Sequence, residues 1–291
     1  MRTLKPDIVY VHQSENLAFL APRVIDASVV VLDVHGSVLM EKPARGPGKR
    51  GWAVGWRELI SVMASRRIIA ASNELADFLV NHYGIPRSRC WTVPNGVPLS
   101  LLGAVDRTKL WRTNLRLAAG ELMAIHVAPG QSFANEASVT FLSRVAQLLR
   151  RSPLKLRFVL TGRMSAPEGL TPVGMVQDYL GLLDAADLTL LPYPVEAVCG
   201  GARNKALEFL ARGKAIVSTR EGMRGVERAQ AGRDFIEAES PEQFAEAIAT
   251  LAGDEYLRNR LGTAARLLAQ SYTWTQSATI LSRTFEGMLS N

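Results

Sequence analysis

A glycine-led segment with the sequence GGARNKALE combines residue types that suit a bound nucleotide. Gly200 and Gly201 precede a predicted helix, where glycine lets a ligand approach the backbone and free N–H groups attract phosphate. Arg203 and Lys205 place positive charge in the first turn, which the helix dipole disfavours unless an anion lies there. Glu208 follows at a distance suited to a ribose. The pattern indicates a nucleotide site, although a surface helix with a glycine-rich lead-in also fits.

Two histidines end predicted strands and are candidates for proton chemistry. His12 closes the run VYVH, and His35 lies in DVHG. In open parallel sheets, ligands collect at the carboxyl ends of strands, which places both histidines where a ligand would lie. A buried histidine with its hydrogen bonds satisfied is the alternative interpretation for each of them.

The elements that must position these residues alternate between strand and helix. Apolar runs predict strands at 7–12, 28–35, 67–72, 90–94, 122–128, 155–161, 187–192 and 214–219. Helical periodicity with sensible ends predicts helices at 73–83, 135–151, 178–186, 203–212, 241–252, 254–271 and from 273 to about 289. This alternation is typical of an α/β fold with parallel sheets covered on both faces.

A turn cluster divides the predicted elements into two domains. The run PNGVP occupies 94–98, and a new strand–helix series starts at Leu122. We therefore predict an N-terminal domain over 1–103, completed by a C-terminal helix over 273–291, and a second domain over 104–272. The run GPGKRG at 46–51 is predicted to be a flexible insertion in the first domain.

Beyond these patterns, the stretch 174–227 resembles the donor-binding region of glycosyltransferase family 4. The resemblance extends upstream through the runs ASNE, YGI and VPNGVP, and downstream to YTW at 272–274. It covers most of the chain. It implies a GT-B fold of two Rossmann-like domains and transfer of a sugar from a nucleotide-sugar donor, typically with retention of configuration.

The resemblance also implies roles for particular residues. Glu208 matches the second glutamate of the family's E-x7-E motif, which holds the donor ribose. The first glutamate contacts the donor sugar, and Gly200 stands in its place. Backbone at Val176 would flank the nucleotide base. His35 matches the histidine that faces the transferred sugar, and His12 lies at a similar strand end.

The diphosphate of a donor requires cationic or polar partners. The resemblance identifies only some of them in this sequence. Many relatives have Arg and Lys in the loop that here runs from 129 to 135, a loop without either residue. Gly130 and Asn135 are the candidates in this loop, and Asn135 matches a subset of relatives. Arg163, or Arg203 and Lys205, would supply the charge. The chain has no Asp-x-Asp pair, so we expect metal-independent transfer, with no metal and no cofactor besides a UDP- or GDP-linked sugar as co-substrate.

The N-terminal domain is expected to be shortened, because the resemblance implies a first strand and glycine-rich loop before Asp7. A misplaced start, a protein partner that completes the sheet and a decayed copy are the three explanations. Two functions therefore stay open. One is a glycosyltransferase acting on a glycan or lipid-linked acceptor, in polysaccharide or glycolipid synthesis. The other is a non-catalytic protein that binds a nucleotide sugar or a partner glycosyltransferase. No G-x-G-x-x-G follows a strand, which disfavours a dinucleotide oxidoreductase.

The net charge of +7 is unevenly distributed. The stretch Lys42–Arg67 holds seven basic residues against one acidic residue, together with Trp52 and Trp56. This composition favours an anionic membrane surface, and a solvated basic surface is the alternative. Nucleic acid is disfavoured because no binding module accompanies the charge. Without a signal-peptide pattern, and with Cys90 and Cys199 at no metal spacing, we expect a cytoplasmic protein, peripheral at the inner membrane face if that surface binds lipid.

Overall fold

The computed structural model describes residues 6–12, 29–41, 49–103 and 108–289. The chain forms two compact units. Unit 1 comprises Met1–Gly96, Val198–Ala202 and Trp274–Asn291, and unit 2 comprises Val97–Ala197 and Arg203–Thr273. Residues 198–202 thus belong with unit 1, whereas the sequence analysis assigned them to the second domain.

The described strands and helices follow one another in the alternation typical of α/β proteins. The strands are β1 (Ile8–His12), β2 (Val29–Val34), β3 (Arg67–Ala70), β4 (Cys90–Thr92), β5 (Leu122–Ala128), β6 (Leu156–Gly162), β7 (Leu170–Gly174), β8 (Leu188–Leu191), β9 (Ala215–Ser218) and β10 (Ile236–Glu237). The helices are α1 (Lys49–Ala64), α2 (Asn73–Tyr83), α3 (Thr108–Asn114), α4 (Phe133–Leu149), α5 (Tyr179–Ala185), α6 (Asn204–Ala211), α7 (Pro241–Gly253), α8 (Glu255–Ala269) and α9 (Trp274–Leu289).

Unit 1 contains a parallel sheet with the strand order β1-β2-β3-β4. Its strands are apolar runs whose central residues, such as Val31 and Ile68, are fully buried. Helix α2 begins after Ser72, whose side chain accepts a hydrogen bond from the Leu75 N–H, and ends at Gly84 with φ 63°. Because all four strands run the same way, their carboxyl ends lie at one edge of the sheet.

Unit 2 contains a six-stranded parallel sheet with the order β10-β9-β8-β5-β6-β7. From β5 the chain proceeds outward through β6 and β7, and then returns to β8 on the other side of β5. Helices α4, α5 and α6 connect β5 with β6, β7 with β8 and β8 with β9, and the strand order is that of a Rossmann-type sheet. The carboxyl ends of β5 and β8 therefore flank the point where the strand order reverses, which is where such sheets bind ligands.

The expected α/β class with parallel sheets is confirmed, and the structure differs from the predicted elements at four places. Strand β7 was not predicted because Pro172 and Gly174 weaken its pattern, and both are tolerated on an edge strand. Helix α3 and the two-residue β10 were also not predicted. The predicted flexible insertion at 46–51 is helical from Lys49 onward, because α1 begins there, and 46–48 lie outside the described residues. Within the described ranges, no helix combines the length and apolarity needed to cross a bilayer.

Candidate functional site

The loops that follow β5 and β8 in unit 2 are joined by a polar cluster around Asn135. The Asn135 side chain donates to the Gly130 carbonyl at 2.6 Å, which ties helix α4 to the loop after β5. Its Oδ1 accepts from Lys205 Nζ at 3.2 Å, and Lys205 Nζ also donates to the Tyr193 hydroxyl at 2.6 Å. Tyr193 belongs to the loop after β8. The structure therefore brings Gly130, Asn135 and Lys205 together at the point where the strand order reverses.

Arg203 lies beside this cluster, but its charge is already paired. Its guanidinium stacks over the Tyr193 ring, with Cζ 3.7 Å from the ring centroid. It also forms an ion pair with Glu221 at 2.7 Å, and its side chain is only 9% exposed. Arg203 thus fastens the start of α6 to the loop after β9, and Lys205 is the better placed cation for a bound anion.

Glu208 lies one turn further along α6 and is held by Tyr179. The Tyr179 hydroxyl donates to Glu208 Oε2 at 2.8 Å. Burial raises the pKa of Glu208, and the hydrogen bond from Tyr179 and the charge of Lys205 oppose that rise. A carboxylate with one oxygen occupied in this way keeps a second oxygen for a ligand.

A buried histidine underlies the same cluster. His126 lies on β5 with no exposed surface, between the Leu190 carbonyl at 3.0 Å and the Ser138 hydroxyl at 2.9 Å. Burial lowers the pKa of His126 to about 3, and the charges of Lys205 and Arg203 act in the same direction. The imidazole is therefore neutral at physiological pH and adds no charge to the site.

Two further donor-site candidates lie at other strand ends of unit 2. Arg163 is exposed immediately after β6, where Gly162 adopts φ 124° and packs against the Ala128 backbone. Val176 follows β7 and is half-buried against the apolar core of the unit. Neither makes a described contact with Lys205 or Glu208, so their donor roles stay predictions.

Gly200 and Gly201 pack against backbone of unit 1. Ser37 N–H donates to the Gly200 carbonyl at 2.8 Å, the Gly200 N–H donates to Glu41 Oε1 at 3.1 Å, and Gly201 forms an antiparallel bridge with Gly36. A Cβ at position 200 would lie 2.7 Å from the Ser37 nitrogen. The two glycines therefore permit a close backbone–backbone approach, a reason that the sequence analysis did not consider when it assigned them to the diphosphate.

The carboxyl edge of the unit 1 sheet gathers both predicted histidines around one carboxylate. His12 Nδ1 lies 2.7 Å from Asp33 Oδ2, and His35 Nε2 lies 3.0 Å from the same oxygen. The Tyr10 hydroxyl also donates to this oxygen. The two imidazole rings meet edge to face with centroids 4.7 Å apart. The cluster is thus a compact His–Asp–His arrangement with a phenol beside it.

This cluster shifts the proton affinities of its members. Burial alone would raise the pKa of Asp33, but hydrogen bonds from His35, Tyr10 and His12 outweigh burial and lower it. The hydrogen bond to Asp33 raises the pKa of His35 against the opposing effect of burial, and Asn95 contributes a smaller rise. Burial, together with Asp33, raises the pKa of Tyr10.

Five residues of these clusters were not predicted from the sequence: Asp33, Tyr10, Tyr193, Tyr179 and His126. For the first two a signal was available, because residues two apart on a strand share a face. Tyr10 therefore shares a face with His12, and Asp33 with His35. For the other three no sequence signal existed, since each meets its partner only through the strand order of unit 2.

These two sheets define a class of protein: a GT-B-type fold with two Rossmann-like units. Solved structures with the same fold include HepE from Anabaena in complex with UDP-glucose, with a TM-score of 0.75 and 15% identity over 97% of this chain and 79% of that one. Sucrose-phosphate synthase from Thermosynechococcus elongatus matches with a TM-score of 0.73 and 14% identity, over 98% of this chain and 74% of that one.

The family follows from the sequence matches. The model of Glycosyltransferase Family 4 matches residues 1–101, and that of Glycosyl transferases group 1 matches residues 125–254. The D-inositol 3-phosphate glycosyltransferase of Nocardia farcinica is 26% identical over 88% of this chain, which spans 59% of that relative's length. The chain belongs to the group 1 glycosyltransferases of family 4.

Proposed function

We propose that the protein is an enzyme that transfers a sugar from a nucleotide-sugar donor to an acceptor, and that the donor binds to unit 2. The observation that carries this proposal is the cluster of Lys205, Asn135 and Tyr193, with Glu208 beside it, at the point where the strand order reverses. Lys205 provides charge for a diphosphate, and Glu208 provides a carboxylate for the ribose hydroxyls. The families that match the chain and the donors named in the solved relatives support this assignment.

The finer chemistry is proposed on the same basis. The diphosphate departs without a metal ion, stabilised by Lys205 and by the N-terminal N–H groups of helix α4 beside Gly130. His35 faces the transferred sugar, and His12 lies beside it in the same cluster. We propose retention of configuration, a UDP- or GDP-linked donor, and a glycan or lipid-linked acceptor.

Calorimetry with the full chain tests donor binding. UDP, GDP and ADP, each free and as sugar conjugates, are titrated into the wild type and into Glu208→Ala. We expect one nucleoside diphosphate and its sugar conjugates to bind the wild type. Glu208→Ala should lose most of that affinity. The matched control is Glu255→Ala, which removes an exposed glutamate in unit 2 and should leave binding unchanged. Absence of binding by every nucleotide would contradict the proposal.

A non-catalytic role is the second candidate, and Gly200 is the observation that favours it. Position 200 holds no carboxylate to read the donor sugar, and its backbone is engaged with Ser37 and Glu41. A protein of this kind would bind the nucleotide sugar, or a partner glycosyltransferase, without turnover. Donor hydrolysis or transfer by the wild type, lost in Glu208→Ala, would support the enzyme. Donor binding with neither reaction, across a panel of glycan and lipid acceptors, would support the second candidate.

We also propose that helix α1 rests on an anionic membrane surface. Trp56 and Met63 are 49% and 56% exposed, and with the half-buried Ile60 they lie on one face of the helix. Arg57 and Arg66 are exposed nearby and complement anionic headgroups. Of the basic stretch that motivated this proposal, residues 42–48 lie outside the described residues.

Vesicle sedimentation tests the membrane proposal. The wild type is expected to sediment with vesicles containing phosphatidylglycerol and not with pure phosphatidylcholine vesicles. Trp56→Ala combined with Met63→Ala should remove this binding. Leu267→Ala, an equally exposed apolar residue in unit 2, serves as the control. The membrane proposal would be overturned if the wild type bound both vesicle types equally, or if the double variant bound the phosphatidylglycerol vesicles as well as the wild type does.

A further inference from the structure

We propose that His12, Asp33 and His35 in unit 1 form a binding site for a divalent transition-metal ion. One ligand atom from each residue lies within 4.8 Å of the other two, and both imidazole nitrogens lie within 3.0 Å of Asp33 Oδ2. This inference concerns unit 1 by itself and does not rest on the proposed transfer reaction.

The sheet holds these three side chains in place before any ion binds. His12 on β1 pairs in register with Asp33 on β2, and the two strands are parallel. His35 follows Asp33 by two residues, so its side chain leaves the strand on the same face. Ligands fixed by adjacent strand ends need little rearrangement to bind a metal, because the backbone has already brought them together.

The donor set suits a transition metal better than Mg²⁺ or Ca²⁺. Imidazole nitrogen suits zinc, iron, nickel and copper, whereas the two hard cations prefer oxygen ligands alone. Zinc binds such ligands at about 2.0–2.2 Å, which places two tetrahedral ligand atoms roughly 3.3 Å apart. The observed separations from Asp33 Oδ2, 2.7 Å to His12 and 3.0 Å to His35, need to widen by about 0.6 Å and about 0.3 Å to reach that spacing.

Charge and access also favour a cation at this point. The Asp33 side chain is 6% exposed, and a buried carboxylate is stable only when it is paired or coordinated. Its hydrogen-bond partners in the described residues are Tyr10 and two imidazoles, whose ring nitrogens bind a metal ion once they carry no proton. The His12 side chain is 60% exposed, which leaves an entry path for an ion.

Side chains around the cluster fix the orientation of its members. Asn95 interacts with the His35 side chain, and Phe285 meets the Tyr10 ring edge to face at 5.8 Å. Metal-binding histidines usually have a second polar partner that orients the ring in this way.

Metal titration tests the site directly. The full chain is stripped with a chelator and titrated with ZnCl₂ by calorimetry, and with CoCl₂ while visible absorption is recorded. We expect one Zn²⁺ per chain, a Co²⁺ absorption band typical of nitrogen and oxygen ligands, and no binding of MgCl₂ at the same concentration. His12→Ala and Asp33→Asn should each weaken Zn²⁺ binding at least ~10-fold.

A matched control is provided by the chain's own histidines, of which there are four. His82 lies on α2 in unit 1, stacked on Phe78, and His82→Ala should leave Zn²⁺ binding unchanged. Circular dichroism confirms that each variant is folded, and His12→Ala, at an exposed position, is expected to fold even if Asp33→Asn does not. Absence of Zn²⁺ binding by the wild type, or equal binding by wild type and His12→Ala, would overturn the inference.

Discussion

The carboxyl edges of the two parallel sheets gather different charged side chains. In unit 1, the ends of β1 and β2 surround the Asp33 carboxylate with His12 and His35. In unit 2, Lys205 on α6 contacts Asn135 and Tyr193, which follow β5 and β8, while His126 is kept neutral by burial. The same architecture therefore carries the proposed cation site in one unit and the proposed anion site in the other.

If both proposals hold, the strand order sets where a ligand binds, and a few charged side chains set what kind of ligand binds. Each of the two sheets holds a histidine whose pKa is shifted, His35 in unit 1 and His126 in unit 2, and the two shifts have opposite directions. A carboxylate raises the pKa of His35, and burial beside two cations lowers that of His126. Changing one charged or buried side chain at a time can therefore test the contrast.

The largest effect is expected at His126, because its neutral state is linked to folding. Its pKa is about 3 in the folded protein and about 6.5 when unfolded, so the unfolded state binds more protons between these values. Stability is thus lost as the pH falls from about 6.5 towards 3. Lowering the pH from 6.5 to 4 should cost about 3 kcal/mol through this one group. Urea unfolding at a series of pH values measures the loss.

His126→Gln isolates that contribution, because glutamine keeps polar contacts but does not titrate. Acid also protonates carboxylates, so the comparison is between the slopes of stability against pH. The wild-type slope should exceed the variant slope by about 1.4 kcal/mol per pH unit within this window. Equal slopes would show that His126 is not held neutral, and the contrast between the two edges would lose its basis in unit 2.

The two sheets differ in how many of the candidate site residues could be predicted from the sequence alone. In unit 2, Lys205 and Glu208 were predicted as site residues because they lie in one short segment whose spacing resembles a known family. Tyr193 and Tyr179, which hold them, lie in other segments and contact them only after the sheet has formed. In unit 1 the histidines were found singly, and the carboxylate between them was overlooked despite its strand spacing.

The next effect in size concerns the anion site itself. Lys205→Ala removes the ammonium that donates to Tyr193 and Asn135 and, in the proposed complex, to the diphosphate. A hydrogen bond involving a charged group contributes about 1.5–3 kcal/mol, so nucleotide binding should weaken about 10- to 100-fold. Calorimetry with the nucleoside diphosphate that the wild type binds measures this loss of affinity.

Lys109→Ala is the matched control, since it removes an exposed lysine from helix α3 in the same unit. It lowers the net charge by the same amount. An equal loss of affinity in both variants would indicate a general electrostatic effect, and the contrast between the two edges would then reflect net charge instead of a defined site.

A smaller effect is expected from the glycine that replaces the family's first glutamate. Gly200→Ala would place a Cβ against the Ser37 backbone, and such overpacking costs about 1–3 kcal/mol. Gly130→Ala, where a Cβ meets nothing within 4 Å, is the control and should be nearly neutral. Thermal unfolding in the absence of ligand compares the two.

The same packing gives a second reason for a glycine at position 200, which the sequence alone could not reveal. A glycine before a helix indicates close approach to the backbone, but it does not say whether a ligand or another segment approaches. Here Ser37 and Glu41 contact Gly200. Restoring the family residue with Gly200→Glu is therefore expected to destabilise the protein as well. A gain in donor affinity without loss of stability would contradict this explanation.

The smallest effect is expected at Tyr179, which orients the carboxylate of the anion site. Tyr179→Phe removes the hydroxyl that donates to Glu208 Oε2 at 2.8 Å and keeps the ring in place. A single hydrogen bond of this kind contributes about 0.5–1.5 kcal/mol, so nucleotide binding should weaken by up to about 10-fold. Tyr256→Phe, at a tyrosine that is 78% exposed, is the control. Tighter binding in Tyr179→Phe would mean that the hydroxyl competes with the ribose for Glu208. In that case the carboxylate would be blocked in the free protein, and nucleotide binding would first have to displace Tyr179.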